Sequence, residues 1–88
     1  MNAAIEKEIG QNIRRLRENA NITQEMLSAK LQVEGCDITR SALAKIEVGQ
    51  RHLYPDEIIL IKKILKVSFD DILKIWYKYT KQKGRAFR

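Results

Sequence analysis

The stretch TRSALAKIEVG, residues 39–49, decides how the rest of the chain is read. At 100° per residue it separates into two arcs. Ala42, Leu43, Ile46 and Glu47 fall together and suit a core boundary, while Arg40, Ser41, Ala44, Lys45 and Val48 share the other side. The second arc is slim, with small residues at its middle and cations at its margins. Most surface helices put long charged side chains at such positions. A helix that must lie in a DNA major groove, about 12 Å wide, has the opposite need, because bulk would hold its axis away from the base edges. Ser41 and Ala44 would let Arg40 and Lys45 reach them. An ordinary solvated helix explains the same arc more simply, so the flanking sequence has to choose.

Outward from this segment the helical period accounts for most of the chain. Thr39 can cap the helix and Gly49 can end it. Upstream, Ile5, Ile9, Ile13, Leu16 and Ala20 recur at three- and four-residue steps, which predicts a first helix over roughly residues 3–20 with Asn21 as its stop. Thr23 caps a second helix, TQEMLSAKL, whose Leu27 and Leu31 face inward. Gly35, in the polar connection VEGCD, can close that helix at positive φ. Downstream, Pro55 introduces a fourth helix, EIILIKKIL. Ser68 and Asp71 form a capping box ahead of a fifth, FDDILKIWYKY. Strand-like alternation is absent. The expected fold class is all-α, a compact bundle of five helices over residues 1–81, with a basic C-terminal tail at residues 82–88.

Eighty-eight residues of which 44% are hydrophobic suit one small domain. The net charge of +6 is unevenly placed. Residues 1–73 carry eleven Lys/Arg and eleven Asp/Glu, whereas KIWYKYTKQKGRAFR at the end carries six basic groups and no acid. Binding of a polyanion by the folded body must therefore rest on where its cations sit. The longest apolar run, IILI at 58–61, stops at Lys62, far short of the ~20 residues of a membrane span. No signal peptide is visible at the N-terminus. A single cysteine, Cys36, allows no internal disulfide and has no partner ligand for zinc, so a reduced, cytoplasmic compartment is expected. His52 has no carboxylate and nucleophile around it in sequence. With no metal cluster and no Gly-rich phosphate loop, an enzyme is not expected, nor is a cofactor, a metal or a small-molecule substrate.

The stretches IGQNIRRLRENANITQEMLSAKL, ITRSALAKIEVGQR and EIILIKKILKVSFDDIL resemble, in order, the Xre/Cro-repressor helix-turn-helix family over roughly residues 9–73. The resemblance implies a lambda-repressor-like DNA-binding domain that works as a homodimer on double-stranded DNA. It implies that Gln24 contacts a phosphate and braces helix 3, and that Thr39 is a further phosphate contact. Arg40, Ser41 and Lys45 match base-reading positions, Ala44 lies where a thymine methyl can be met, and Arg51 matches a region that touches the DNA backbone. Arg17 and Glu47 match the family's ion pair between helix 1 and the end of helix 3. The chain departs from the pattern between helices 2 and 3. QVEGCDI is longer than the usual link, Gln32 stands where Gly is common, and Ser28 where Ala is favoured. Ile38 is then expected to plug the core.

The expected function is a sequence-specific DNA-binding transcriptional regulator, a repressor, that inserts helix 3 into the major groove. The rival is a protein-interaction module, antitoxin-like or an anti-repressor partner, built on the same helices. In the last helix Phe69, Leu73 and Trp76 share a face expected to seal the core. Ile72, Ile75 and Tyr79 spread round a flank that is the candidate dimer contact. Lysines interrupt this helix, which argues against a membrane-surface role.

Overall fold

Hydroxyl caps and left-handed stops divide the chain into helices. The computed structural model describes residues 3–74. It comprises α1 (Ala3–Asn19), α2 (Gln24–Val33), α3 (Arg40–Glu47), α4 (Pro55–Leu65) and α5 (Phe69–Ile72), with no strand among the described residues. The Thr23 hydroxyl accepts from the Met26 N–H at 3.0 Å and the Thr39 hydroxyl from the Ala42 N–H at 3.1 Å. Each satisfies an amide that the first turn would otherwise leave unpaired. Asn21, at φ 59°, turns the chain out of α1 as expected. Ser68 and Asp71 form the reciprocal capping box, at 3.0 and 3.1 Å.

The core is built from one stripe of each helix. Ile9 and Ile13 of α1 meet Leu27 and Leu31 of α2, Leu43 and Ile46 of α3, Leu53, Ile61 and Leu65 around α4, and Ile72 of α5. Complete burial of such a side chain contributes about 1.5–3 kcal/mol. Helices α1 and α3 cross at Gly10, where a Cβ would collide with the backbone carbonyl of Ile46. Glycine there lets the two backbones touch.

The longer link between α2 and α3 is resolved by extending the helix. α2 runs past Leu31 to Val33 and closes with Gly35 at φ 84°. The Gly35 N–H donates to the Gln32 carbonyl at 3.0 Å and the Cys36 N–H to the Leu31 carbonyl at 2.9 Å, a Schellman closure. Ile38 then enters the core fully buried. Its carbonyl accepts from the Ser28 hydroxyl at 2.7 Å and from the Gln32 amide at 3.3 Å. The two departures at positions 28 and 32 therefore act together, pinning the end of the longer link just before the Thr39 cap. Cys36 is buried, and burial, with the Glu57 and Asp56 carboxylates, pushes its thiol above the ordinary range, which disfavours the thiolate.

At α5 the assignment of faces is corrected. Ile72 has no exposed surface, and its carbonyl accepts from the buried Asn12 amide of α1 at 2.8 Å, so it cannot be a dimer contact. Phe69, expected in the core, is 43% exposed, with the Lys62 ammonium 5.2 Å from its ring centre. The helix is turned so that Ile72 faces α1, with Leu73 packed half-buried beside the core. Ile75, Trp76 and Tyr79, and the boundary between residues 81 and 82, lie outside the described residues.

Candidate nucleic-acid interface

The outward arc of α3 is uncovered. Arg40, Ser41, Lys45 and Val48 are exposed and Ala44 is half-buried between them. The opposite arc, Leu43, Ile46 and Glu47, is buried. Small residues thus form the exposed middle of the helix, flanked by two cations for which no ion pair occurs among the described residues.

Glu47 is the point at which three helices are tied together. Its carboxylate accepts from Arg17 Nε at 2.7 Å and Nη2 at 3.0 Å, and from the Gln24 amide at 3.0 Å. Arg17 also donates from Nη1 to the Ile22 carbonyl at 2.8 Å, which ties the α1–α2 turn into the same cluster. The side chains of Arg17 and Glu47 are only 8% and 1% exposed. Hydrogen bonding to Glu47 outweighs burial and holds the Arg17 guanidinium above its ordinary pKa, so the guanidinium stays charged despite its burial. Gln24 therefore braces α3 through Glu47, as expected. Its place at the start of α2 also puts it among N–H groups that attract anions.

An open concavity lies where the end of α1 meets the starts of α2 and α3, lined by Arg14, Arg17, Thr23, Gln24, Glu25 and Arg40. Arg14 was not among the expected site residues. It pairs with Glu18 at 3.2 Å, but both side chains are more than half exposed, so the pairing is weak. Its place three residues before Arg17 on α1 is the signal that could have found it.

Arg51 is not a free cation in this structure. It grips Glu57 with both Nη atoms at 3.0 Å and donates to the His52 carbonyl at 2.9 Å. The Tyr54 N–H donates to Glu57 Oε1 at 3.0 Å. The group seals the turn into α4. Arg51 thus has a structural role at this turn, with its side chain still 29% exposed. Burial raises the Glu57 carboxyl, but the Arg51 and Tyr54 hydrogen bonds overcome this and hold it below its ordinary value of 4.5. A carboxylate depressed on folding stabilises the fold above its unfolded pKa, and that contribution disappears as pH falls through the lower folded value. Glu57→Gln should therefore lose stability at pH 7 yet show a shallower decline below about pH 4.5 in acid titrations of the melting temperature. Parallel decline of variant and wild type would refute this.

A helix-turn-helix family matches residues 13–72 of the chain, from the second part of α1 through α2, α3 and α4 to the end of α5 at Ile72. The chain belongs to the Xre/Cro/lambda-repressor-like helix-turn-helix family. As a helix-turn-helix protein it is a DNA-binding regulator, on an all-α fold. No curated protein and no solved structure shows a significant match. Among the described residues no helix is long and apolar enough to cross a membrane, and no group of His, Cys, Asp and Glu could hold a metal ion. The first turns of α1, Ala3 to Asn12, precede the helix-turn-helix match.

Proposed function

We propose that the protein is a cytoplasmic transcriptional repressor that binds a specific duplex sequence as a homodimer, with α3 in the major groove. The observation that carries this is the slim arc of α3, uncovered by the rest of the described chain and edged by Arg40 and Lys45. In this reading Arg40, Ser41 and Lys45 read base edges and Ala44 meets a thymine methyl. Gln24, Thr39 and the α2 N-terminus position the protein on phosphates, with Arg14 beside them. Arg51 contributes by fixing the turn after α3. The two-fold contact falls to Ile75 and Tyr79 once Ile72 is assigned to the core. Half-sites then lie about 34 Å apart, one helical turn. The tail at 82–88 adds sequence-independent phosphate attraction. A protein-docking module would be expected to carry aromatic anchors on the same arc, and the arc has none.

Selection of an operator from random duplexes, followed by salt titration, tests this reading. Affinity should fall with a log–log slope of about −0.9 per phosphate neutralised. Arg40→Ala and Lys45→Ala should each cost about 1–3 kcal/mol of discrimination between operator and random sequence, without a change in melting temperature. A flat salt response, or an unaltered preference in both variants, would sink it.

A further inference from the structure

The first half of α1 is not an idle extension. We propose that Lys7 is a DNA-phosphate contact and that residues 3–12 hold it beside the C-terminal end of α3. This rests on the major-groove reading above.

The placement comes from two contacts one residue apart. A Cβ built on Gly49 would lie 2.8 Å from Lys7 Cβ and 2.9 Å from Lys7 Cα, so the backbone of α1 touches the turn that follows α3. Gly49 is at φ 79°, which favours glycine independently of the space. Next to it, Glu6 Oε1 lies 2.8 Å from His52 Nδ1, with the Glu6 side chain only 10% exposed. Ile9, two residues after Lys7, is buried in the core. The segment is therefore docked against the turn at Gly49 and His52, and Lys7 is its exposed cation.

Electrostatics give that cation a task. The last carbonyls of α3 make its C-terminal end negative, which is unfavourable beside phosphate. Arg51, the nearest following cation in sequence, is closed on Glu57. No ion pair among the described residues involves Lys7. Its flexible stem can carry the ammonium about 6 Å from its Cα. An eight-residue helix is about 12 Å long, comparable to the width of the major groove. When Gln24 and Thr39 rest on one strand, the Gly49 turn comes up against the other, where Lys7 can meet a phosphate. Lys7 precedes residues 13–72, so the helix-turn-helix match does not reach it.

The full chain and its Lys7→Ala, Lys7→Glu and Lys7→Arg variants would be titrated on the selected operator and on a random duplex from 50 to 200 mM salt. Lys7→Ala should weaken both complexes by a similar factor and make the log–log salt slope shallower by about 0.9. The affinity lost over that salt range should shrink by roughly three- to fourfold. Lys7→Arg should keep the wild-type slope, and Lys7→Glu should weaken binding further than alanine. If Lys7→Ala and Lys7→Glu keep the wild-type slope and affinity while Arg40→Ala still loses operator preference, the Lys7 assignment falls and the groove reading stands. Loss confined to the operator would also overturn it, because a phosphate contact acts on every sequence. If wild-type binding is itself insensitive to salt, both assignments fall together.

Discussion

Glu47→Ala should lower the melting temperature by at least about 12 °C and weaken DNA binding at the same time. Removal of the carboxylate leaves the Arg17 guanidinium, 8% exposed, with only the Ile22 carbonyl among its former partners. Breaking a buried ion pair from one side costs about 3–5 kcal/mol, because the remaining charge is uncompensated. In a domain of this size each kcal/mol is worth about 4–8 °C. Affinity follows stability because the carboxylate ties α3 to Arg17 of α1 and Gln24 of α2. Glu47→Gln should fall between the two, since an amide retains a hydrogen-bond acceptor without the charge. Thermal melts monitored by circular dichroism check this. An unchanged midpoint in Glu47→Ala would dispose of the pair as a structural element.

Gly10→Ala should be strongly destabilising even though alanine is the better helix former. In a solvated helix the exchange gains roughly 1 kcal/mol. Here the added methyl collides with the Ile46 carbonyl oxygen and would lie 3.1–3.2 Å from the backbone carbons of Ile46 and Glu47. None of these atoms can rotate aside, so α1 and α3 must separate. Overpacking of this kind typically costs 1–3 kcal/mol and occasionally more. DNA affinity should fall with stability, since the displaced residues lie behind the Arg40 to Val48 arc. Gln11→Ala, at the neighbouring exposed position, is the control and should leave the melting temperature near the wild-type value. A higher melting temperature in Gly10→Ala would contradict the close crossing.

Local signals in the sequence located the helix ends because their chemistry is local. Thr23, Thr39 and the Ser68–Asp71 pair each bond within three residues, and Gly35 and Gly49 need only their own φ. Orientation was harder. Periodicity separates Phe69 from Ile72 by face but does not say which face turns inward. The contact that shows it, Asn12 to the Ile72 carbonyl, spans sixty residues. Gly10 reads in sequence as a weakness in a helix, and its reason exists only where α3 crosses. The Arg51–Glu57 pair spans a turn at a spacing that matches no helical repeat, so periodicity gave no sign of it. The exposed arc of α3 was legible from residue size and charge, as was the tie between Arg17 and Glu47 from resemblance to the family. The Gln24 bond to Glu47 gives that tie its third helix.

Because Ile38 is held at its side chain by the core and at its carbonyl by Ser28 and Gln32, the angle of α3 is settled downstream of the Val33–Gly35 corner. That corner is solvent-facing, and a Cβ added at Gly35 would meet nothing within 4 Å. Changes of side chain at the exposed positions of that corner, Val33 and Glu34, should therefore leave the seating of α3 unaltered. Any tag spliced nearby must keep a glycine at the left-handed position that closes α2, because there the backbone, and not the surrounding space, sets the limit.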